Sequence, residues 1–133
     1  MDTLLENNLE SSLQFEKRGG ILPVIVQELP SKEILMLGYV NQEALSESIK
    51  TGYATFWSTS RQELWTKGKT SGDFLIIKEI LVDCDQDSLI YKVTRLGKGA
   101  CHTKNSNGKT RTSCFYRKIK NLNELNWISE EVK

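Results

Sequence analysis

Apolar and polar positions alternate over several short stretches of the chain, a pattern typical of β-strands. Ile21–Glu28 and Glu33–Leu37 flank a turn at 30–32 and together predict a hairpin. Because Pro23 has no backbone N–H, the first of these strands is expected at a sheet edge. Tyr53–Ser58 is aromatic and β-prone, which predicts a further strand.

The pattern continues in the second half of the chain. Asp73–Cys84 and Ser88–Leu96 flank a tight polar turn and predict a long hairpin. Residues 97–113 are rich in Gly, Asn, Ser and Lys, which indicates a loop. A short strand is predicted at Cys114–Ile119.

Helix signals are strongest at residues 42–51. Asn41 is a good N-cap, and Gly52 provides a C-terminal stop. Val40 and Leu45 occupy the positions of a hydrophobic staple, in which the residue before the cap packs on the first helical turns. A helix is therefore predicted over 42–51.

Two weaker patterns place helices at the ends of the chain. Leu5, Leu9 and Leu13 recur every four residues and predict a short N-terminal helix, and a terminal helix is expected around Leu122–Ile128. The predicted fold is α+β: a mainly antiparallel, barrel-like sheet with a few flanking short helices.

Composition narrows the class of protein. The chain has 133 residues, 38% of them hydrophobic and 26% charged, which fits one globular domain over 1–133 and excludes a disordered or fibrous chain. Its apolar runs fall far short of the roughly 18 residues that a membrane span requires. The first residues lack a secretory-signal pattern, so a cytoplasmic location without a membrane partner is expected.

The net charge of +1 conceals an uneven distribution. The segment from Ser88 to Asn123 contains nine basic residues and no acidic one. Such a local positive field concentrates anions, so phosphorylated metabolites and nucleic acid are both plausible partners. A merely solvated basic surface is the alternative interpretation.

A cluster of carboxylates follows the predicted strand that ends at residue 84. If the backbone stays extended, Asp83, Asp85 and Asp87 lie on one face. Hard oxygen ligands of this kind suit Mg²⁺ or Ca²⁺. An EF-hand is excluded because Ser88 occupies its glycine position and Thr94 stands where its bidentate Glu is needed. A solvated acidic turn is the alternative.

Cys84, Cys101 and Cys114 offer three soft ligands, which favour zinc. Three protein ligands leave a fourth position for water, as in catalytic zinc sites. His102 follows Cys101 directly and is expected beside that water, as a proton-transfer group rather than a ligand. The alternative is three inert buried thiols and a surface histidine.

A string of small residues that contains Lys67 and Lys69 suggests a phosphate-contacting loop. It is not a P-loop, since Glu63 stands where the first glycine is needed. Trp57 and Trp65 could stack on a base, although either could equally belong to the core.

Several motifs in order resemble the phosphoribosyl-AMP cyclohydrolase family, enzymes of histidine biosynthesis that open the adenine ring of phosphoribosyl-AMP. The motifs are Met36–Leu45, Phe56–Arg61, Leu64–Gly72, Asp83–Asp87, Cys101–Thr103 and Ser113–Phe115. The resemblance implies an intertwined homodimer that shares its zinc between chains. It implies zinc on Cys84, Cys101 and Cys114, and magnesium on Asp83, Asp85 and Asp87. The substrate-binding candidates are Arg61, Trp65, Lys67, Lys69 and Ser71.

The expected reaction is attack of a zinc-bound water on C6 of the purine, aided by His102, followed by cleavage of the N1–C6 bond. Magnesium and the basic residues are expected to hold the two phosphates of the substrate.

Two positions depart from the family pattern. Thr59 stands where the family commonly has Arg, and the twelve residues between Cys101 and Cys114 form a longer gap. Loop closure costs rise slowly with length, so the cysteines can still converge. A fused pyrophosphohydrolase domain is not expected.

Two other functions compete with this one. A basic zinc module that binds nucleic acid is the alternative, although three carboxylates beside Cys84 would repel a phosphate backbone unless metallated. A zinc deaminase is excluded because its H-x-E and P-C-x-x-C signatures are missing.

Overall fold

A computed structural model describes residues 13–129 and residue 133, and it has an α+β fold made mostly of strands. The central sheet has the order β2-β1-β6-β5, with β1 (Leu22–Glu28), β2 (Ile34–Val40), β5 (Leu75–Val82) and β6 (Leu89–Arg95). Two hairpins accompany it, β3 (Thr55–Ser58) with β4 (Glu63–Thr66), and β7 (Arg117–Lys120) with β8 (Glu124–Trp127). The α-helix of the described residues is α1 (Gln42–Thr51). The strands in this part of the chain form an open sheet and hairpins, so the expected barrel-like closure is wrong.

The predicted hairpin of β1 and β2 is confirmed, with antiparallel pairing from Leu22↔Val40 to Gln27↔Ile34. The expected edge position of β1 is wrong, because β1 lies between β2 and a parallel neighbour, β6. That parallel ladder starts at Val24, one residue after Pro23. The proline therefore precedes the ladder and removes no hydrogen bond from it.

The predicted long hairpin is also confirmed, as β5 and β6 pair antiparallel over almost their full length. Inward-facing residues of β1 and β6 alternate with outward-facing ones, as a sheet with one buried face requires. Together with residues of β2, β3 and α1 they form the hydrophobic core, whose members with the least exposure include Leu22, Val24, Val26, Leu35, Val40, Ala44, Phe56, Tyr91 and Val93.

The helix predicted over 42–51 is confirmed at those bounds. Oδ1 of Asn41 accepts a hydrogen bond from the N–H of Ala44 over 2.8 Å, which satisfies one of the unpaired donors of the first turn. Gly52 ends the helix in the left-handed region, with φ of 81°. Val40 and Leu45 are both buried, as a hydrophobic staple requires.

The predicted terminal helix is wrong, since this segment forms β8 and pairs with β7. Asn121 and Leu122 adopt positive φ and make the turn between the two strands. Trp127 stacks on Tyr116 with ring centroids 5.5 Å apart, which fixes the far end of the hairpin. The strand predicted to start at residue 114 begins at Arg117. Cross-strand pairing outweighed the helical spacing of the apolar residues.

The predicted N-terminal helix falls largely on residues 1–12, which lie outside the described residues. A 3-10 helix follows at Glu16–Arg18. No helix in the described part of the chain is long and apolar enough to cross a membrane.

Candidate active site

A pocket of about 640 Å³ opens beside the β3–β4 hairpin and the loop that follows it. It brings together all five predicted substrate-binding residues and His102. The lining residues are Ser58, Ser60, Arg61, Leu64, Trp65, Thr66, Lys67, Gly68, Lys69, Thr70, Ser71 and His102.

Glycines allow the loop at 67–72 to fold tightly against the next strand. Gly68 has φ of 97°, and a Cβ at this position would lie only 2.3 Å from the backbone nitrogen of Phe74. The N–H of Gly72 donates to the carbonyl of Gly68 over 2.7 Å and closes the loop. The lysines on either side of Gly68 are thereby held at the rim of the pocket.

Trp65 forms an apolar wall of the pocket and is half-buried. Its ring packs on buried Phe56 with centroids 4.9 Å apart, so the packing of the hairpin fixes its position. An aromatic wall of this kind can stack on a planar base. Trp57, the other candidate for stacking on a base, packs against the core and does not line the pocket.

The pocket is positively charged at its rim. Arg61 is exposed and lies 3.8 Å from the Glu63 carboxylate, a pairing too open to water to neutralise it. Lys67 and Lys69 add two further charges. Together with the serine hydroxyls, these groups can bind a phosphorylated ligand.

Cys101 and Cys114 lie together next to this pocket. Burial and the neighbouring Cys101 thiol together raise the pKa of the Cys114 thiol to about 11, while the positive charge of Lys67 acts in the opposite direction. Cys101 is buried, with 4% exposure. Lys67 lines the pocket, and its charge is close enough to Cys114 to oppose the rise in the pKa of that thiol. The thiol pair therefore lies beside the pocket.

The long segment between these cysteines closes on itself. Its ends pair through the N–H of Cys101, which donates to the carbonyl of Arg111 over 3.2 Å. At the tip, Oδ1 of Asn105 accepts from the N–H groups of Asn107 and Lys109 over 2.9 and 3.0 Å. The extra length is thus taken up in a closed loop, and the two cysteines stay close.

Cys84 lies elsewhere, exposed in the turn after β5. Among the described residues, no cluster of three or more metal-ligating side chains contains a cysteine. The three predicted zinc ligands therefore do not converge within one chain.

The three aspartates do converge, with one oxygen of each within 4.8 Å of the others. The reason differs from the predicted one, because β5 ends at Val82 and the backbone turns instead of staying extended. Oδ1 of Asp83 accepts from the N–H groups of Asp87 and Ser88 over 3.0 and 3.2 Å, which holds the turn. Carboxylates gathered in this way fit a hard divalent cation.

Two basic residues that the sequence did not indicate contact this cluster. Nζ of Lys17 and Nη2 of Arg18 each lie 3.0 Å from Oδ2 of Asp87. The pKa of Asp87 lies below its usual value of 3.8, mainly because Lys17 donates a hydrogen bond to its carboxylate. No sequence pattern links residues so far apart, so this contact could come only from the structure.

The fold and the site define an α+β domain with a basic, tryptophan-lined pocket, a pair of thiols beside it and a cluster of carboxylates in the turn after β5, features that suit an enzyme with a phosphorylated ligand. A sequence model of the phosphoribosyl-AMP cyclohydrolase family matches residues 36–116, and the chain belongs to this family.

Curated relatives agree with this assignment, and each carries the name phosphoribosyl-AMP cyclohydrolase. The protein of Desulfatibacillum aliphaticivorans is 46% identical over 120 residues, which cover 90% of both chains. The Archaeoglobus fulgidus protein is 49% identical over 80% of this chain and 92% of its own. The Streptococcus gordonii protein is 46% identical over 93% of this chain and 96% of its own.

Proposed function

We propose that this protein hydrolyses phosphoribosyl-AMP, opening the six-membered ring of the adenine between N1 and C6 in histidine biosynthesis. Relatives that align with 90% and 93% of the chain carry the name of this activity. The observation that carries the proposal is the pocket, which joins a stackable indole, three cationic side chains and a histidine. Family membership favours this hydrolase over a nucleic-acid-binding module.

The pocket residues divide the work of binding and chemistry. Trp65 stacks on the purine, while Arg61, Lys67 and Lys69 hold phosphate oxygens. Water adds to C6, the N1–C6 bond breaks, and N1 takes a proton. His102 lines the same pocket next to Cys101 and transfers the proton.

Cys101 and Cys114 are the ligands that fit zinc, because soft thiolates favour this metal. Their contact supports a metal site at the edge of the pocket. When bound, zinc would supply a Lewis acid that lowers the pKa of a coordinated water. Asp83, Asp85 and Asp87 fit Mg²⁺, and Asp85→Asn should weaken the magnesium dependence of turnover while zinc stays bound.

The third zinc ligand, Cys84, is proposed to come from the second chain of a homodimer. The placement of Cys84 outside the Cys101–Cys114 pair supports this arrangement. Metal binding and association are then linked, and neither is complete alone. A cytoplasmic location is proposed from the biosynthetic activity.

The activity is tested with purified protein supplied with Zn²⁺ and Mg²⁺. Consumption of phosphoribosyl-AMP is followed by chromatography, and metal content is measured on the same sample. Lys67→Met should raise KM, and His102→Asn should lower kcat. Lys50→Met, an exposed change on α1 outside the pocket lining, is the control and should leave both constants unchanged. A folded, metal-supplied wild-type protein that leaves the substrate intact would refute the proposed activity.

The shared site is tested by mixing two inactive variants. Cys84→Ser and Cys101→Ser chains should regain activity together, because one site of the mixed dimer contains Cys84, Cys101 and Cys114 intact. Cys101→Ser mixed with Cys114→Ser is the control and should stay inactive, since no site then has both of its paired cysteines. Exchange of subunits without any return of activity would show that one chain supplies all three ligands.

A further inference from the structure

A short series of polar contacts leads from Arg111 through Thr103 to the sulfur of Cys101. Nη1 of Arg111 donates to Oγ1 of Thr103 over 2.8 Å. The same Oγ1 lies 2.8 Å from Sγ of Cys101. The backbone N–H of Thr103 also donates to this sulfur, over 3.4 Å. Thr103 thus contacts the Cys101 sulfur through both its hydroxyl and its backbone N–H.

The chemistry of the three groups fixes the direction of these hydrogen bonds once Cys101 is a metal-binding thiolate. A guanidinium only donates, and a thiolate has no proton and only accepts. The Thr103 hydroxyl between them therefore accepts from Arg111 and donates to Sγ. A hydrogen bond to a charged group is stronger than a neutral one, so this donation helps to hold a metal-bound sulfur in place.

Several contacts fix the position of the Arg111 side chain. It is only 9% exposed. Its Cζ lies 4.0 Å from the centre of the Tyr116 ring and 5.4 Å from that of Trp127, which packs the planar guanidinium against aromatic faces. Its backbone N–H donates to the carbonyl of Thr103 over 3.2 Å. Side chain and backbone thus both fix Arg111 relative to Thr103.

We propose that Thr103 and Arg111 are positioning residues that orient the Cys101 thiolate and offset the negative charge of the metal site. The inference rests on the proposed zinc site at Cys101. Three thiolates around one Zn²⁺ leave a net negative charge, and the buried guanidinium of Arg111 provides the nearby compensation. Groups that orient metal ligands typically contribute about 10- to 100-fold to metal affinity.

Thr103→Val and Thr103→Ser separate the hydroxyl from the shape of the side chain. The dissociation constant for zinc is measured by competition with a chromophoric chelator, and Co²⁺-loaded protein reports thiolate coordination by its absorption spectrum. Thr103→Val should weaken zinc binding about tenfold or more. Thr103→Ser keeps the hydroxyl and should bind zinc like the wild type.

Arg111→Met is compared with Arg117→Met, a matched control. Cζ of Arg117 lies 4.9 Å from the centre of the same Tyr116 ring, but no hydrogen bond joins it to Thr103 in the structure. Arg111→Met should weaken zinc binding, and Arg117→Met should leave it unchanged. Because part of the effect of Arg111 acts through Thr103, the loss of zinc affinity in the Arg111→Met, Thr103→Val double variant should be smaller than the product of the two single losses.

Wild-type zinc affinity in Thr103→Val or in Arg111→Met would overturn the inference, as would independent, multiplying losses in the double variant. If Thr103→Val fails to fold by circular dichroism, Arg111→Met and Thr103→Ser decide the matter alone. Undiminished zinc binding by Cys101→Ser gives a different result, since it removes Cys101 from the ligands and overturns the zinc proposal itself.

Discussion

Ser48 joins α1 to the hairpin that lines the pocket, and its removal should destabilise the protein strongly. Its hydroxyl donates to the carbonyl of Thr55 and accepts from the N–H of Thr55, both over 2.9 Å. Ser48 and Thr55 are each only 1% exposed. Ser48→Ala therefore leaves two buried backbone groups without their partner.

The expected loss follows from these two groups. A buried donor or acceptor left unpaired costs about 1–3 kcal/mol, so two groups cost about 2–6 kcal/mol. Alanine is the better helix former by roughly 0.5 kcal/mol, which offsets a small part. The net decrease in the free energy of unfolding should be about 2–5 kcal/mol.

The assay is urea denaturation of both variants at one protein concentration, followed by tryptophan fluorescence. Ser46→Ala is the matched control, because it makes the same change at an exposed position of the same helix. It should be neutral or slightly stabilising. If both variants have the same free energy of unfolding, the two hydrogen bonds contribute nothing and the reasoning is refuted.

Three further predictions concern the cap, an ion pair and a close backbone contact. Asn41→Ala should lower the free energy of unfolding by about 1 kcal/mol in the same assay. Burial opposes ionisation of Glu28, but hydrogen bonds from Ser31 and Arg95 hold its pKa below 4.5, so its stabilising effect is lost as pH falls below that value. Urea midpoints at neutral and acid pH should therefore differ less in Glu28→Gln than in the wild type. A Cβ at Gly99 would lie 2.4 Å from a carbonyl oxygen in the segment paired with it, so Gly99→Ala should weaken zinc binding in a chelator competition assay.

The sequence predicted those elements that are stabilised by residues close to one another in the chain. The caps Asn41 and Gly52 enclose α1 at the predicted bounds, and alternating apolar residues marked both hairpins of the central sheet. The errors arose where a distant partner decided the outcome. Pro23 indicates an edge strand, but β1 also pairs with β6, in a ladder that begins after the proline. Leu125 forms a strand because Ile119 lies opposite it in the β7–β8 pair.

The candidate site likewise has features that the sequence could predict and features that it could not. The loop with Lys67 and Lys69 could be predicted because its glycines and lysines are neighbours in sequence. The contact of Lys17 with Asp87 could not, since it joins residues 70 positions apart. Nor could the contact of Arg111 with Thr103, which depends on how the intervening loop closes.

The two parts of the site are attached to different elements of the fold. The N–H of Cys114 donates to the carbonyl of Leu35 in β2 over 2.7 Å, and the Ser113 hydroxyl donates to the carbonyl of the preceding residue, Ile34. The pocket hairpin is instead tied to α1 through Ser48, and α1 follows β2 directly in the chain. Loss of the Ser48 hydroxyl should therefore disturb the pocket before the cysteine pair, because the segment that carries Cys114 has its own hydrogen bonds to β2. Substrate binding should in consequence be more sensitive than metal binding to changes in α1.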